Sequence, residues 1–216
     1  KPELTGIAPR AAHIGGEVLV TLSGKGITAE TQVFASNPGL QLTLAKSSIK
    51  PTTARLKIAT SPDLARGPYD IWLKNAGGES TKLQIYADDI APTSTKAADF
   101  VKGHVEVTGL PAALWGTMTE IGQHDIYRIH AKSGEELVFD LGVSQVGSTA
   151  KSPALEILDL QRNVLAVNRG LDSGSDPFLA WKAPADGDYL VQVSNTTMDG
   201  SAQHIYRLTI GALPYV

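Results

Sequence analysis

Short apolar runs with a period of two constrain the fold of this chain more than any other feature of its sequence. In the first half the clearest sets are Val18, Val20 and Leu22; Leu40, Leu42 and Leu44; Leu56 and Ile58; and Tyr69, Ile71 and Leu73. Successive side chains of a strand point to opposite faces of a sheet, so each set lies on one face. Gly, Pro, Asn and Asp separate the runs and favour turns there. The pattern therefore predicts an all-β chain.

The second half repeats the pattern with different residues. Its sets are Tyr127 and Ile129; Leu137 and Phe139; Leu155 and Ile157; Tyr189, Val191 and Val193; and Tyr206, Leu208 and Ile210. Apolar faces of this kind must pack against a second sheet, and short strands at regular spacing are typical of sandwiches. A chain of 216 residues has room for two domains of ordinary size. We expect two tandem β-sandwich domains.

The boundary between the two domains is expected at a short polar segment, Asp88–Thr95, which contains Pro92. Polar, Pro-containing segments are typical of linkers between packed domains. The predicted organisation is a first domain at 1–88, a linker at 89–98 and a second domain at 99–216. No repeat relates the two halves.

Charge and composition exclude several classes of protein. Residues 1–88 carry a net charge of +3 and residues 89–216 a net charge of −6, which gives −3 for the chain, so nucleic-acid binding is not expected. The chain has no cysteine, which excludes disulfides and Cys-based metal sites. No apolar run is long enough for a membrane span. The start at Lys1 predicts a processed product or a piece of a longer protein.

Three stretches give the first half a family resemblance: Gly6–Pro9, Gly15–Gly26 and Gly67–Gly78. With these stretches, residues 3–86 resemble an IPT/TIG domain, which implies an Ig-like sandwich. Such domains are spacers and binding modules of surface proteins, and some bind DNA. A basic cluster of the kind that binds DNA is missing here.

The second half resembles the bacterial pre-peptidase C-terminal domain. The matching stretches are Leu114–Met118, Asp125–Ile129, Lys132–Leu137, Leu155–Asp159, Ala183–Val193 and Tyr206–Ile210. The resemblance implies a jelly-roll-like sandwich of the kind found beside secreted peptidases and in other exported bacterial proteins. Some relatives bind calcium, but the usual acidic cluster is missing from Pro92–Asp99 and Gln123 occupies the place of an Asp. We therefore expect no cofactor.

The sequence gives no pattern for catalysis or for a metal site. The histidines lack zinc-site spacing and are expected at the surface or in turns: His13, His104, His124, His130 and His204. No G-x-S-x-G motif is present. The loop Asp172–Asp176 has too few carboxylates for a calcium site on its own. Asn195-Thr196-Thr197 has the form of a glycosylation sequon and is interpreted as a turn. The expectation is no catalytic residue and no metal ligand.

The tryptophans give the candidate interaction residues. Trp72 alternates with Asp70 and Lys74, and Trp115 lies between Leu114 and Gly116, so both are expected on outward faces. Trp181 shares the phase of Leu179 and is expected in a core. Exposed tryptophans often mark contacts. Two interpretations of Trp72 and Trp115 remain open: an interdomain surface, or a platform for a glycan or a protein.

These observations favour a non-catalytic accessory or adhesive region of an exported bacterial multidomain protein, periplasmic, cell-surface or extracellular. Its partners would be other domains of the parent protein and, as a second interpretation, a glycan or an extracellular protein. A carbohydrate- or matrix-binding module and a C-terminal appendage of a secreted peptidase or other hydrolase are the two alternatives.

Overall fold

The chain is built almost entirely of β-strands, as the alternation predicts. The structure is a computed structural model that describes residues 1–100, 102–170, 176–197 and 199–213, with only the backbone of Ala97. Its helices, in the described part, are short 3-10 turns at Lys46–Ser48, Ala97–Phe100 and Ser144–Val146. None of these has the length and apolar character of a membrane span. The chain divides into two compact units, Lys1–Pro92 and Thr93–Val216.

The first unit is a sandwich of two sheets. Its strands are β1 (Glu3–Ala8), β2 (Ala11–His13), β3 (Glu17–Lys25), β4 (Gln32–Ala35), β5 (Leu40–Ala45), β6 (Thr53–Thr60), β7 (Gly67–Asn75), β8 (Gly78–Glu79) and β9 (Leu83–Asp88). One sheet has the order β1-β3-β6-β5 and the other β2-β9-β7-β4, with β8 paired to β7. The pairing of β2 with β9 is parallel, whereas β1 and β3 are antiparallel.

The core of the first unit consists of the residues that the alternation assigns to it. Val20, Leu22, Leu56, Ile58 and Ile71 are completely buried and pack together between the sheets. Full burial of one such side chain contributes roughly 1.5–3 kcal/mol. The two inner faces therefore hold the sheets together without any disulfide.

The second unit is a ten-stranded sandwich in its described part. Its strands are β10 (Pro92–Ser94), β11 (Val105–Glu106), β12 (Ala112–Thr117), β13 (His124–Ala131), β14 (Glu136–Gly142), β15 (Pro153–Leu158), β16 (Val164–Asn168), β17 (Phe178–Lys182), β18 (Gly187–Asn195) and β19 (Ile205–Gly211). The sheets have the orders β10-β12-β19-β14-β17 and β11-β13-β18-β15-β16. This arrangement is the second β-sandwich that the sequence predicts.

A second, separate core fills this unit. Tyr127, Phe139, Leu155, Val191 and Tyr206 are completely buried and belong to one cluster. The predicted inward faces are confirmed for these strands. Strand β16 is not among the predicted ones, because its sequence, Val-Leu-Ala-Val-Asn, is a continuous apolar run with no alternation to read.

The segment expected as a linker, 89–98, is partly ordered into the second unit. Residues Pro92–Ser94 form β10 at the edge of a sheet. The Thr95 amide then donates a hydrogen bond of 2.7 Å to the carbonyl of Trp115. Only residues 89–91 lie between the last strand of the first unit and the first strand of the second.

Limited proteolysis should cut first at residues 89–91. Asp89 and Ala91 are exposed, whereas the strands on both sides are held by ladder hydrogen bonds, and proteases need an extended, unpaired backbone. With subtilisin at low concentration we expect two protected fragments, identified by mass spectrometry as residues 1 to about 90 and about 91 to 216. A first cut within β1–β9 or β10–β19 would contradict this division.

Candidate functional site

A chain of buried hydrogen bonds crosses the second sandwich from one sheet to the other. The Tyr206 hydroxyl on β19 donates to Oδ2 of Asp125 on β13 at 2.5 Å, and the Tyr127 hydroxyl lies 2.7 Å from that of Tyr206. Because Tyr206 donates its proton to the carboxylate, it accepts from Tyr127. The Thr95 hydroxyl continues the chain at 2.9 Å from Tyr127. Four side chains from distant parts of the sequence therefore form one buried polar network.

Burial controls the ionisation of this network. Asp125 is only 2% exposed, and burial raises the pKa of its carboxyl, although the hydrogen bonds from Gln123 and Tyr206 act in the opposite direction. Burial also raises the pKa values of Tyr127 and Tyr206 above the ordinary tyrosine value. Both phenols are therefore neutral at physiological pH and act as hydrogen-bond donors.

Gly116 on β12 makes room for the Tyr206 hydroxyl. A Cβ atom at Gly116 would lie 2.2 Å from the Tyr206 hydroxyl oxygen and 2.3 Å from its ring carbon. Gly116 pairs directly with Tyr206 in the ladder. The Leu-Trp-Gly-Thr stretch therefore requires glycine at this position because a tyrosine lies across from it.

Gln123 anchors the carboxylate end of the network. Its amide nitrogen donates to Oδ1 of Asp125 at 2.7 Å and to the carbonyl of Thr117 at 3.0 Å. Its amide oxygen accepts from the backbone amides of Thr119, at 2.7 Å, and Glu120, at 3.2 Å. At the position where the family resemblance implies a calcium ligand, this chain has a hydrogen-bond donor that joins a carboxylate to a carbonyl.

The other sequence candidates for cation binding are placed as follows. Residues 172–175 of the loop Asp172–Asp176 lie outside the described residues. The carboxylate of Asp176 accepts hydrogen bonds from the backbone amides of Val143, Ser144 and Gln145, at 2.8, 2.8 and 3.2 Å. Among the described residues, no group of three or more His, Asp or Glu side chains is arranged to hold a metal ion.

The sequon asparagine is part of the fold. Asn195 is buried, its amide donates to the Asp199 carboxylate, and its side-chain oxygen accepts from the amide of Ser152 at 3.2 Å. The interpretation of this sequence as a structural turn agrees with these contacts.

The histidines fall into two environments. His104 and His130 belong to a chain of ion pairs on the outer face of the β11-β13-β18 sheet, in which Arg128 binds Asp188 and His130 Nδ1 lies 2.9 Å from Asp188. The hydrogen bond to Asp188 raises the pKa of His130, and that from Arg128 lowers the pKa of Asp188. Paired charges of this kind form a solvated sheet surface.

His204 lies in a turn before β19, where its backbone amide donates to the carbonyl of Ser201 at 3.0 Å, as expected for a histidine at the surface or in a turn. It is buried there, and its Nδ1 lies 4.0 Å from the Asp199 carboxylate. That distance is too long for a hydrogen bond. The spacing of histidines in the sequence does not reveal this burial.

Trp115 is on the face that its phase predicts, but it is not exposed. Its neighbours Leu114 and Gly116 face the core, so Trp115 points to the opposite face of β12. Its exposed fraction is only 5%. Trp115 therefore offers no open aromatic ring to a ligand, so the interpretation of this residue as a platform for a glycan or a protein is wrong.

Trp181 lies at the margin of the core. It packs edge-on against Tyr189 and Phe139, with ring centroids 4.8 and 6.2 Å away, and it is partly buried, so the predicted core contact is confirmed. A groove of about 620 Å³ runs beside it, lined by Glu136, Leu137, Val138, Ala180, Trp181, Lys182, Ala212 and Leu213. The groove is on the outer side of β14 and β17, since Val138 and Ala180 face outward there.

Trp72 is half-buried on the outer face of the β2-β9-β7-β4 sheet. Its ring stacks on Phe34 of β4, with centroids 5.7 Å apart and planes 18° from parallel. The Lys82 ammonium lies 4.9 Å from the Trp72 ring centroid. Because β4 and β9 lie on opposite sides of β7, Trp72 is flanked by Phe34 on one side and by Lys82 on the other.

We define the aromatic surface as Phe34, Trp72 and Lys82. Phe34 is the most accessible ring of this surface, with an exposed fraction of 36%. The carboxylate of Asp70 lies beside the aromatic surface, 3.7 Å from the Lys82 ammonium. An exposed aromatic ring beside charged groups can bind a ligand that has both an apolar face and hydroxyl groups.

Sequence reasoning missed the carboxylate of the buried network, although the signal was present. Asp125 has the same phase along β13 as Tyr127 and Ile129, both of which are core residues. A carboxylate in phase with a core face must be buried and must find donors. Gln123, one of its two donors, is only two residues away in the sequence. Tyr206, the other donor, is 81 residues away, and only the fold brings it to Asp125.

Comparisons with known proteins give partial likenesses. No protein-family model and no curated protein sequence matches the chain. Among solved structures it is similar to the periplasmic g-type lysozyme inhibitor PliG of Aeromonas hydrophila, at 20% identity and a TM-score of 0.37, over 56% of this chain and 98% of that one.

Two further solved structures are similar to parts of the chain. The pre-peptidase C-terminal domain of a collagenase from Bacillus anthracis matches at 13% identity, with a TM-score of 0.36, over 56% of this chain and 95% of that one. The BIgI domain of the beta protein from S. agalactiae, bound to CEACAM1, matches at 14% identity, with a TM-score of 0.27, over 40% and 94%.

Replacing Gly116 by Ala should destabilise the second unit by about 1–3 kcal/mol, because the new methyl group displaces the Tyr206 hydroxyl from its hydrogen bonds. The matched control is Gly187→Ala on β18, where an added Cβ meets no atom within 4 Å and the expected change is within about 1 kcal/mol. Urea unfolding followed by tyrosine and tryptophan fluorescence measures both. Equal stabilities of the two variants would disprove the role assigned to Gly116.

The buried Asp125 should make stability depend on pH with a definite sign. Its folded-state pKa is raised, so its contribution is fully present below the unfolded-state pKa of about 3.9 and is lost as the pH rises through the folded-state pKa. The unfolding free energy of the natural chain relative to Asp125→Asn should therefore fall as the pH increases from about 4.

Asp159 provides a control of opposite sign for this measurement. The side chain of Asn163 lowers the pKa of Asp159, so the natural chain should gain stability over Asp159→Asn as the pH rises. Urea titrations between about pH 3 and 8 give both difference curves. A rising difference curve for Asp125→Asn would mean that the hydrogen bonds from Gln123 and Tyr206 lower the pKa of Asp125 more than burial raises it.

Proposed function

We propose that this chain is a non-catalytic accessory region of an exported bacterial protein, in which it acts as a spacer and an interaction module. The observation that carries the proposal is that the buried polar groups of the chain bond to one another, whereas an aromatic surface is left accessible. The deeply buried carboxyl and phenol groups of the second unit, Asp125, Tyr127 and Tyr206, are bonded to one another, while the aromatic surface of the first unit is open to a partner.

The buried network supports a structural role rather than an acid–base role. A catalytic carboxyl must reach its substrate within hydrogen-bond distance, but Asp125 is almost fully buried and both of its oxygens accept bonds from Gln123 and Tyr206. Perturbed pKa values also arise in structural networks. The pKa of Asp125 is raised because the carboxyl is buried between the two sheets, where its bond to Tyr206 joins one sheet to the other.

Export and an accessory role are supported by the sequence resemblances of the two halves, since both families occur in surface or secreted proteins. Two separate cores, each built without cysteine or metal ligands in the described residues, suit a spacer made of stable modules.

A second candidate function, carbohydrate binding, is favoured by the aromatic surface. Lys82 covers one side of Trp72, but a cation–π contact at an exposed site contributes only about 0.5–1 kcal/mol. A sugar ring that stacks on Trp72 could displace the ammonium at that small cost. Phe34 already exposes its ring, and the Asp70 carboxylate beside it, freed from Lys82, would accept hydrogen bonds from hydroxyl groups.

The aromatic surface can be tested by binding to arrays of glycans and extracellular-matrix proteins. The natural chain should bind one class of ligand on the array, and Phe34→Ala and Trp72→Ala should abolish that binding because the stacking surface is lost. Lys82→Ala should retain or strengthen glycan binding, since it uncovers Trp72. The matched control is Leu19→Ala, an exposed apolar residue on β3 of the other sheet, which should bind like the natural chain.

The same arrays test the absence of catalysis. Captured ligands, recovered after long incubation and analysed by mass spectrometry, should be intact. Cleaved ligands would contradict the non-catalytic proposal, and retained binding by Phe34→Ala and Trp72→Ala together would exclude the aromatic surface as the binding site.

A further inference from the structure

The two open sides of the second unit differ in how their edge strands are protected. On one side the sheets end in β10 and β11, of three and two residues, and β10 begins with Pro92. On the other side they end in β16 and β17, of five residues each. Short strands and proline at an edge prevent pairing with other chains. The β16–β17 side lacks this protection.

Strand β16 is also the most apolar exposed edge of this unit. Val164 is 55% exposed, Val167 is 43% exposed, and Leu165 between them is exposed as well. From Asn163 to Asn168 the sequence has no charged residue. In the described part of the chain no further strand pairs with the outer edge of β16. At the end of β16 the Asn168 side chain donates a hydrogen bond of 2.8 Å to the Phe178 carbonyl of β17, which leaves Val164–Val167 as the candidate docking edge. An uncharged apolar edge favours the addition of another strand.

The outer face next to β16 continues the apolar character of the edge. Val164 pairs with Leu158 of β15, and Leu158 belongs to an apolar cluster with Ile126 and Leu190 on the side of the sheet opposite the main core. Because these three residues are themselves buried, a strand added to β16 would place its own alternate side chains against the exposed Val164 and Val167. Backbone hydrogen bonds would supply affinity and the two valines would select apolar residues.

The charged residues at the two ends of β16 indicate what kind of strand would pair with this edge. Arg162 and Arg169 lie just before and just after β16, and Arg169 is 3.6 Å from Glu156 of β15. If two copies of β16 paired antiparallel with all four apolar residues matched, Arg162 of each copy would lie opposite Arg169 of the other. Like charges directly opposite one another destabilise a strand pair. A second copy of this chain is therefore disfavoured.

We propose that β16 binds an extended peptide segment of another protein by strand addition, and that this segment has alternating apolar residues bounded by Asp or Glu at both ends. One acidic end pairs with Arg162, the other competes with Glu156 for Arg169, and the apolar residues cover Val164 and Val167. This docking edge is on the second unit and does not depend on the aromatic surface of the first.

A phage-displayed library of random dodecapeptides, panned against the immobilised full chain, tests the proposal without assuming a sequence. Enriched peptides should show alternating apolar residues with acidic residues at both ends. Hydrogen exchange with a synthetic copy of an enriched peptide should slow at the amides of residues 164–168. Val167→Asp should weaken its binding by about tenfold or more, equivalent to about 1.4 kcal/mol.

One variant provides the control and a second tests the role of Arg162. Ile121→Asp adds the same charge at an exposed apolar residue in a loop of the same unit and should bind the peptide like the natural chain. Arg162→Asn keeps a residue that tolerates the positive φ of this position and should weaken binding by removing one cation. Circular dichroism confirms that each variant is folded.

Three results would overturn the proposal. Enrichment of no peptide, or of peptides without the acidic ends, would exclude the assigned occupant. Equal loss of binding in Val167→Asp and Ile121→Asp would exclude β16 as the site. A dimer of the natural chain in analytical ultracentrifugation that Val167→Asp converts to a monomer would mean that the edge pairs with a second copy instead.

Discussion

The hydrogen bond between Tyr206 and Asp125 is the interaction on which the second unit depends. A carboxyl on the core face of a strand is costly to bury unless donors reach it, and two side chains, Tyr206 and Gln123, satisfy its two oxygens. Tyr206 can reach it only because Gly116 has no side chain. A single polar contact thus explains why β12 carries Gly116, β13 carries Asp125 and β19 carries Tyr206.

The hydrogen-bond network that contains this contact also holds the first residues of the second unit in place. The Thr95 hydroxyl is bonded to that of Tyr127, and the Thr95 backbone amide donates to the carbonyl of Trp115, so the residues immediately after β10 are attached to the network that joins the sheets. The segment that looks like a free linker by composition is therefore partly a structural element. Thr95 is partly buried and takes part in specific hydrogen bonds, whereas Asp89, Thr93 and Ser94 are exposed.

Period-two alternation was sufficient to assign the inward faces, because it is a local property of a strand. It placed Tyr127, Phe139, Val191 and Leu208 in the core, as the structure has them. It could not assign the accessibility of Trp115, because alternation tells which face a residue occupies and not whether that face is covered. It also could not find β16, whose apolar residues do not alternate, or the burial of His204 by surrounding loops.

The candidate interaction residues illustrate the same limit. The phase of Trp72 predicted its outward face, but its partners are Phe34 on β4 and Lys82 just before β9, and these strands are neighbours of β7 only in the folded sheet. Sequence spacing could not show that both sides of the indole are flanked. The function of a residue on a sheet surface is set by its cross-strand neighbours, which depend on topology and register.

The parallel pairing of β2 with β9 has a mechanical consequence for the first unit. These strands lie near the two ends of the unit's chain, so tension between its ends pulls them in opposite directions along their common axis. All the hydrogen bonds of the pair then bear load together, whereas a hairpin pulled open from its end breaks them one after another. This geometry resists stretching, a property that suits the spacer role proposed for this chain.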